Sequence, residues 1–187
     1  MTHRIFLALN LPTGVKSGLF KLQYKLNRKE LPIRWTVKQN LHMTVLFLGN
    51  LNNWELDKAC GIADNITSKF TKFEIEFIKI SIFKNFRNPR IINVRSKDSS
   101  KMYKIYSLLK NNFLKEKMGK IEQQKFKPHV TIGRFIHSDF DKKLLKPWKR
   151  AKLSIKVPVE SIDILESDMS QKPVEYTLIH RAFLEEL

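Results

Sequence analysis

Two short segments of this chain repeat each other, and each places a threonine two residues after a histidine. The first is His42-Met43-Thr44-Val45, within Asn40-Leu41-His42-Met43-Thr44-Val45-Leu46-Phe47-Leu48-Gly49. The second is His129-Val130-Thr131-Ile132, within Lys127-Pro128-His129-Val130-Thr131-Ile132-Gly133-Arg134-Phe135. Both are rich in apolar and β-branched residues and read as strands. Side chains alternate across a strand, so each histidine shares a face with its threonine. The opposite face holds Leu41, Met43, Val45 and Phe47 in the first copy, and Val130 and Ile132 in the second. Each copy therefore sets a polar face against an apolar one that must be buried.

The order of elements around the copies is also similar. Residues 4–9 read as a strand. Thr13 can cap a helix with Val15, Leu19, Leu22 and Leu26 at helical spacing. Asn53 can cap a second, with Leu56, Ala59, Ala63, Ile66 and Phe70 on one stripe. Phe73, Ile75 and Phe77 alternate with Glu74 and Glu76 as in a half-buried strand, and Ile91 to Arg95 is another. Between them, Phe83 to Arg90 reads as a loop or hairpin. Ser99 or Ser100 starts a third helix carrying Met102, Ile105, Leu109 and Phe113. Ser138 to Arg150 holds a short helix interrupted by Pro147, and the segment from Leu153 to Leu184 alternates like antiparallel strands. Strand pairs without intervening helices indicate an α+β fold rather than a parallel α/β sheet. The expected architecture is two pseudo-symmetric lobes, each an antiparallel sheet with helices on its outer face, around a central groove. They form a single bilobal domain over residues 1–187, for which a monomer is expected.

The charge points to a polyanionic partner. Lys+Arg 35 against Asp+Glu 18 gives a net charge of +17 over 187 residues. Nucleic acid is the first candidate and an anionic membrane surface the second. The excess of lysine over arginine also fits codon bias in an AT-rich genome. No apolar run approaches the roughly 18 residues of a membrane span, and Ile5 to Leu9 is too short for a signal-peptide core. Cys60 is the one cysteine, so no disulfide can form within the chain and a reducing, cytoplasmic compartment is expected. It sits within the expected second helix and reads as a small buried thiol rather than a nucleophile.

A pair of imidazoles near their ordinary pKa can hold one proton between them. One takes a proton from an attacking water and the other gives one to a leaving alkoxide. Threonine hydroxyls can donate to oxygens on which charge builds. Two His-x-Thr units thus suit a tetrahedral anionic centre such as the phosphorus of a phosphodiester, with no metal and no cofactor needed. Zinc is the rival use of histidine, but no cysteine cluster, His-Glu-x-x-His helix or third ligand accompanies the pair. His3, His137 and His180 lack the pattern and read as structural or surface residues.

These two motifs resemble those of the two-histidine phosphoesterase superfamily, and their flanks are similar to its RNA 2′,3′-cyclic phosphodiesterases, the LigT-like "2′-5′ RNA ligase" family. The flanks are Arg4 to Pro12, Arg34-Trp35 to Gly49, Pro128 to Arg134, and Leu165-Glu166-Ser167 with Tyr176-Thr177-Leu178. The chain departs from the family pattern at Gln171-Lys172-Pro173, where relatives often carry a glycine before the tyrosine. The resemblance implies a hydrolase acting on RNA that ends in a 2′,3′-cyclic phosphate and leaving a 2′-phosphate. It implies His42 as proton donor to the departing 3′-oxygen and His129 as proton acceptor from water. Thr44 and Thr131 would hold phosphate oxygens, and Arg134 would add charge-assisted bonds. Phe47 matches an aromatic position that stacks on the terminal base, whereas strict alternation turns it toward the core, so stacking and packing both stay open. Lys84, Arg87, Arg90, Lys125 and Lys127 are candidates for RNA phosphates. The alternatives are a 2′,5′-oligonucleotide phosphodiesterase or 2′-5′ RNA ligase at the same site, a small cyclic-nucleotide hydrolase, and a non-catalytic RNA-binding protein.

Overall fold

The two histidine strands stand in different sheets. The computed structural model describes residues 2–27, 31–84, 88–121 and 125–186. One sheet has four strands in the order β3-β1-β8-β9: β1 (His3–Asn10), β3 (His42–Leu51), β8 (Ser161–Asp168) and β9 (Glu175–Phe183). The other has five in the order β2-β6-β5-β4-β7: β2 (Ile33–Trp35), β4 (Phe73–Lys84), β5 (Pro89–Ser96), β6 (His129–Phe135) and β7 (Lys152–Val159). All ladders within both sheets are antiparallel. The first motif opens β3 and the second opens β6.

The lobes are not the two halves of the chain. The last strands, β8 and β9, complete the sheet of β1 and β3, while β2 crosses over to pair with β6. The helices cross as well. Helix α2 (Asn53–Thr67) packs on β8, β9 and α3 (Ser100–Lys115), and α3 touches β3. Helix α1 (Thr13–Leu26) lies against β6 and β7, and the short α4 (Lys146–Arg150) against β4. One continuous cluster of buried apolar residues therefore runs through both lobes, joining Leu7, Met43 and Ile164 to Ile92, Val130 and Leu109.

Both histidine strands carry a β-bulge directly after the threonine. Ala8 pairs with Thr44 and Leu7 with Leu46, which leaves Val45 as the extra residue of β3. Asn93 pairs with Thr131 and Ile92 with Gly133, which leaves Ile132 as the extra residue of β6. A bulge shifts alternation by one place. Phe47, three residues after Thr44, is thus returned to the face of His42 and Thr44, and the core-side placement expected from strict alternation is corrected. Arg134, three residues after Thr131, is likewise returned to the face of His129.

The second bulge is held from outside. The carbonyl of Ile132 accepts the Thr36 amide at 3.0 Å and the buried Gln23 amide at 2.7 Å. Beyond the first bulge, the Leu48 carbonyl accepts the Lys120 amide at 2.8 Å. Gly119 permits that approach: it takes φ +70, and a Cβ there would stand 2.4 Å from the Leu48 oxygen.

Helix starts differ from expectation in detail. Asn52, not Asn53, caps α2, in a reciprocal pair with Glu55. Thr13 is the first residue of α1, whose cap position is Pro12 with no side-chain bond. Pro147 does not interrupt a helix but sits in the first turn of α4, where its missing N–H costs nothing. Ser99 caps α3 through the Met102 amide.

Candidate functional site

Both motif histidines are oriented by the same device. His42 Nδ1 lies 2.8 Å from the Asn40 carbonyl, and His129 Nδ1 lies 2.6 Å from the Lys127 carbonyl, in each case two residues upstream. A carbonyl can only accept, so each Nδ1 carries the hydrogen and each Nε2 is left as the reactive nitrogen. His42 Nε2 meets the Thr44 hydroxyl at 3.0 Å, which donates to it when the ring is neutral. Aromatic rings wall both imidazoles. Phe6 and Tyr176 lie 5.1 Å from His42, centroid to centroid, and Phe83 lies 4.7 Å from His129.

The sheets present these faces to a shared cavity of about 690 Å³. Thr44 and Phe47 line it from β3, His129 from β6, and Phe83 and Ile91 from β4 and β5. His42 borders a smaller cavity of about 160 Å³ alongside, with Asn10, Lys16, Tyr176 and the ion pair of Asp163 and Arg181. Asp163 is fully buried and receives the Arg181 fork through Nε and Nη2, both at 2.8 Å. Thr131 and Arg134 share the groove face with His129 by register but line neither cavity. Burial raises the Tyr176 phenol, against the opposing pull of the nearby Arg134 charge.

Burial dominates the electrostatics. It pushes the His42 pKa down to about 4, against the pull of the Asn40 carbonyl; the charges of Lys16 and His129 push the same way. His129 is lowered too, chiefly by burial, with Arg95 adding to the effect. That the charge of one motif histidine bears on the other places them within electrostatic reach. Among the described residues, no three of His, Cys, Asp and Glu gather where they could hold a metal ion.

The remaining histidines are accounted for in part. His3 bonds Glu166 at 2.9 Å and Asn53 at 3.0 Å, and His180 bonds Asp64 at 2.8 Å. Burial raises the Cys60 thiol, with the nearby carboxylates Asp64 and Asp57 acting in the same direction. Arg90, Lys125 and Lys127 line the large cavity as exposed cations. Arg87 and the side chain of Lys84 lie outside the described residues. No helix among those residues is long and apolar enough to cross a membrane.

Sequence reasoning missed the groove face of β5. Arg95 is the cross-strand partner of His129, and Asn93 that of Thr131. Asn93 is fully buried, and among the described residues neither its amide atoms nor the Nε of Arg95 has a hydrogen-bond partner. The signal was present: Asn93 and Arg95 alternate with the apolar Ile92 and Val94.

Known proteins share this architecture. RNA 2′,3′-cyclic phosphodiesterase of Thermotoga maritima is 26% identical over 134 residues, 70% of this chain and 69% of that one. The protein of the same name from Aquifex aeolicus is 26% identical over 157 residues, 81% of each. Among solved structures, a Thermus thermophilus protein matches with a TM-score of 0.81 at 22% identity over 98% of each chain. E. coli LigT complexed with 3′-AMP matches with a TM-score of 0.80 at 16% identity over all of each chain. The likeness to these structures shows a common fold. With the family model matching residues 23–171, well over half its length, the chain belongs to the 2′-5′ RNA ligase superfamily.

Proposed function

We propose that this protein opens RNA 2′,3′-cyclic phosphate ends to 2′-phosphomonoesters by two-histidine acid–base catalysis without a metal. The observation that carries this reading is the matched aim of the two imidazoles, each held at Nδ1 by its own i−2 carbonyl with Nε2 as the nitrogen for proton transfer. The relatives named RNA 2′,3′-cyclic phosphodiesterase supply the substrate class.

In this mechanism the cyclic phosphate lies between the two motifs. His129 Nε2 takes a proton as water attacks phosphorus. The new P–O bond forms as the bond to the 3′-oxygen breaks, and His42 Nε2 gives its proton to that oxygen. The anionic phosphate raises the pKa of His42, which burial and the neighbouring cations hold near 4, and so charges the donor only when substrate is present. Thr44 and Thr131 donate to the non-bridging oxygens, Thr44 by turning from His42, and Arg134 adds charge. Phe47 offers a face to the terminal base, while Arg4 sits 5.0 Å from its ring centroid. At the end of the cycle the two histidines have exchanged protonation states, and solvent resets them.

The test is to incubate the protein with an oligoribonucleotide bearing a cyclic phosphate end in excess EDTA and to separate 2′- from 3′-phosphate products. A 2′-phosphate formed at full rate is expected. Turnover that stops with chelation and returns with zinc would overturn the metal-free mechanism. Tight binding without turnover would leave an RNA-binding protein, and cleavage of only linear 2′,5′ linkages would move the substrate. Binding should weaken with salt at a log–log slope of about −0.7 per phosphate neutralised.

A further inference from the structure

We propose that the outer half of the large cavity is a second-nucleotide subsite, where the base on the 5′ side of the terminal nucleotide stacks on the aromatic step of Phe126 and Tyr106. This rests on the cyclic-phosphate reading. A cyclic phosphate uses both the 2′- and 3′-oxygens, so the strand can continue only through the 5′-oxygen and must leave the groove on one side.

Two exits adjoin the motifs, and their chemistry differs. The smaller cavity, of about 160 Å³, has Arg181 in its wall already engaged by the buried carboxylate Asp163, which leaves Lys16 to meet a phosphate. Among the described residues the larger one has no carboxylate in its lining, and Arg90 and Lys125 stand at it exposed and without an ion pair. Counterion release favours the second path. Its outer wall is also built for bases. The rings of Tyr106 and Phe126 are stacked at 4.4 Å and 10°, and Tyr103 closes on Phe126 edge-on at 5.7 Å. Such a step is ordered before any ligand arrives, and base stacking on aromatic side chains tolerates any base. Phe126 is three residues from His129, a reach of at most about 11 Å, so one bound strand can touch both. Proton transfer at phosphorus has no use for these rings.

The test compares a nucleoside 2′,3′-cyclic phosphate with a dinucleotide ending in the same group. Wild type is expected to favour the dinucleotide in kcat/KM by about tenfold or more. Phe126→Leu should remove most of that ratio while keeping the mononucleotide rate. Equal rates on both substrates in wild type, or an undiminished ratio in Phe126→Leu, would overturn the subsite. Failure to open either substrate would overturn the underlying reading and this inference with it. A second measurement needs neither a variant nor turnover: a dinucleotide 2′-phosphate carrying 2-aminopurine at its 5′ position should lose fluorescence on binding wild type. Saturable binding with undiminished fluorescence would show that the base does not stack there.

Discussion

The two motifs share a scaffold and differ in what surrounds it. In each, a strand pairs with the histidine strand, a bulge follows the threonine, and an i−2 carbonyl fixes the ring. The neighbours differ row by row. Across the ladder, His42 faces Asn10 and Thr44 faces Ala8, while His129 faces Arg95 and Thr131 faces Asn93. Past the bulge, Phe47 pairs with Phe6, where Arg134 pairs with Ile91. On its partner strand the first motif meets Asn10, a small residue and a ring, while the second meets a cation, a buried amide and Ile91. A near-symmetric fold thus gives two imidazoles unequal surroundings, the condition for one to act as acid and the other as base.

The sharpest way to break this pairing is to remove one ring at a time. His42→Ala and His129→Ala are each expected to lower kcat by at least about 10²-fold, within the 10²–10⁴-fold range typical of a general acid or base. Near-normal turnover in either variant would leave a one-histidine site and end the comparison. Next come the hydroxyls. Thr44→Val and Thr131→Val are expected to cost about 10²-fold in kcat if each stabilises charge on a phosphate oxygen. A loss in KM alone would show that they bind ground state and transition state equally.

The unequal surroundings should also appear in pH profiles. Both limbs of a bell-shaped kcat/KM profile are expected on the acid side of 6.5, since both rings are lowered in the empty site. Lys16→Met removes a cation near His42 and should move the lower limb up. Arg95→Met should do the same for the upper limb through His129. A shift of the other motif's limb, or none, would show that these cations do not set the difference. Stability follows with a definite sign. Unfolded His42 takes a proton near pH 6.5, whereas the folded ring holds out until about 4. Its contribution is therefore complete above pH 6.5 and is lost as pH falls through that window, by roughly 3 kcal/mol at the end. His42→Gln should flatten that part of the acid-unfolding curve.

Much of this was legible in the sequence because it is local. The repeated His-x-Thr strands, the three long helices and the family resemblance need only spacing and residue type. Phe47 was misplaced because alternation assumes an unbroken ladder, and the bulge at Val45 is set by pairing with β1. Arg95 and Asn93 were passed over for a similar reason: their importance comes from lying across from His129 and Thr131, a register that spacing within one strand cannot give. The exchange of strands between lobes is likewise non-local, as with β8 pairing with β1 across most of the chain. Asn52 outdid Asn53 as a cap because Glu55 sits three residues beyond it and completes the reciprocal bond.

The smallest effect expected concerns the residue between bulge and arginine. Leu46 in β3 corresponds by register to Gly133 in β6, since they pair with Leu7 and Ile92 respectively. β3 is the edge of its sheet and accommodates the buried Leu46 side chain, whereas β6 is covered on its far side by β2. A Cβ on Gly133 would meet Ile33 Cγ2 at 2.8 Å, Ile92 Cγ2 at 3.0 Å and Trp35 Cε3 at 3.1 Å. Gly133→Ala should therefore act as overpacking and destabilise by about 1–3 kcal/mol. The readout is a lower denaturant midpoint at unchanged slope. An unchanged midpoint would mean that β2 slides aside at no cost. The tight cover over the second motif would then be no real difference from the open edge beside the first.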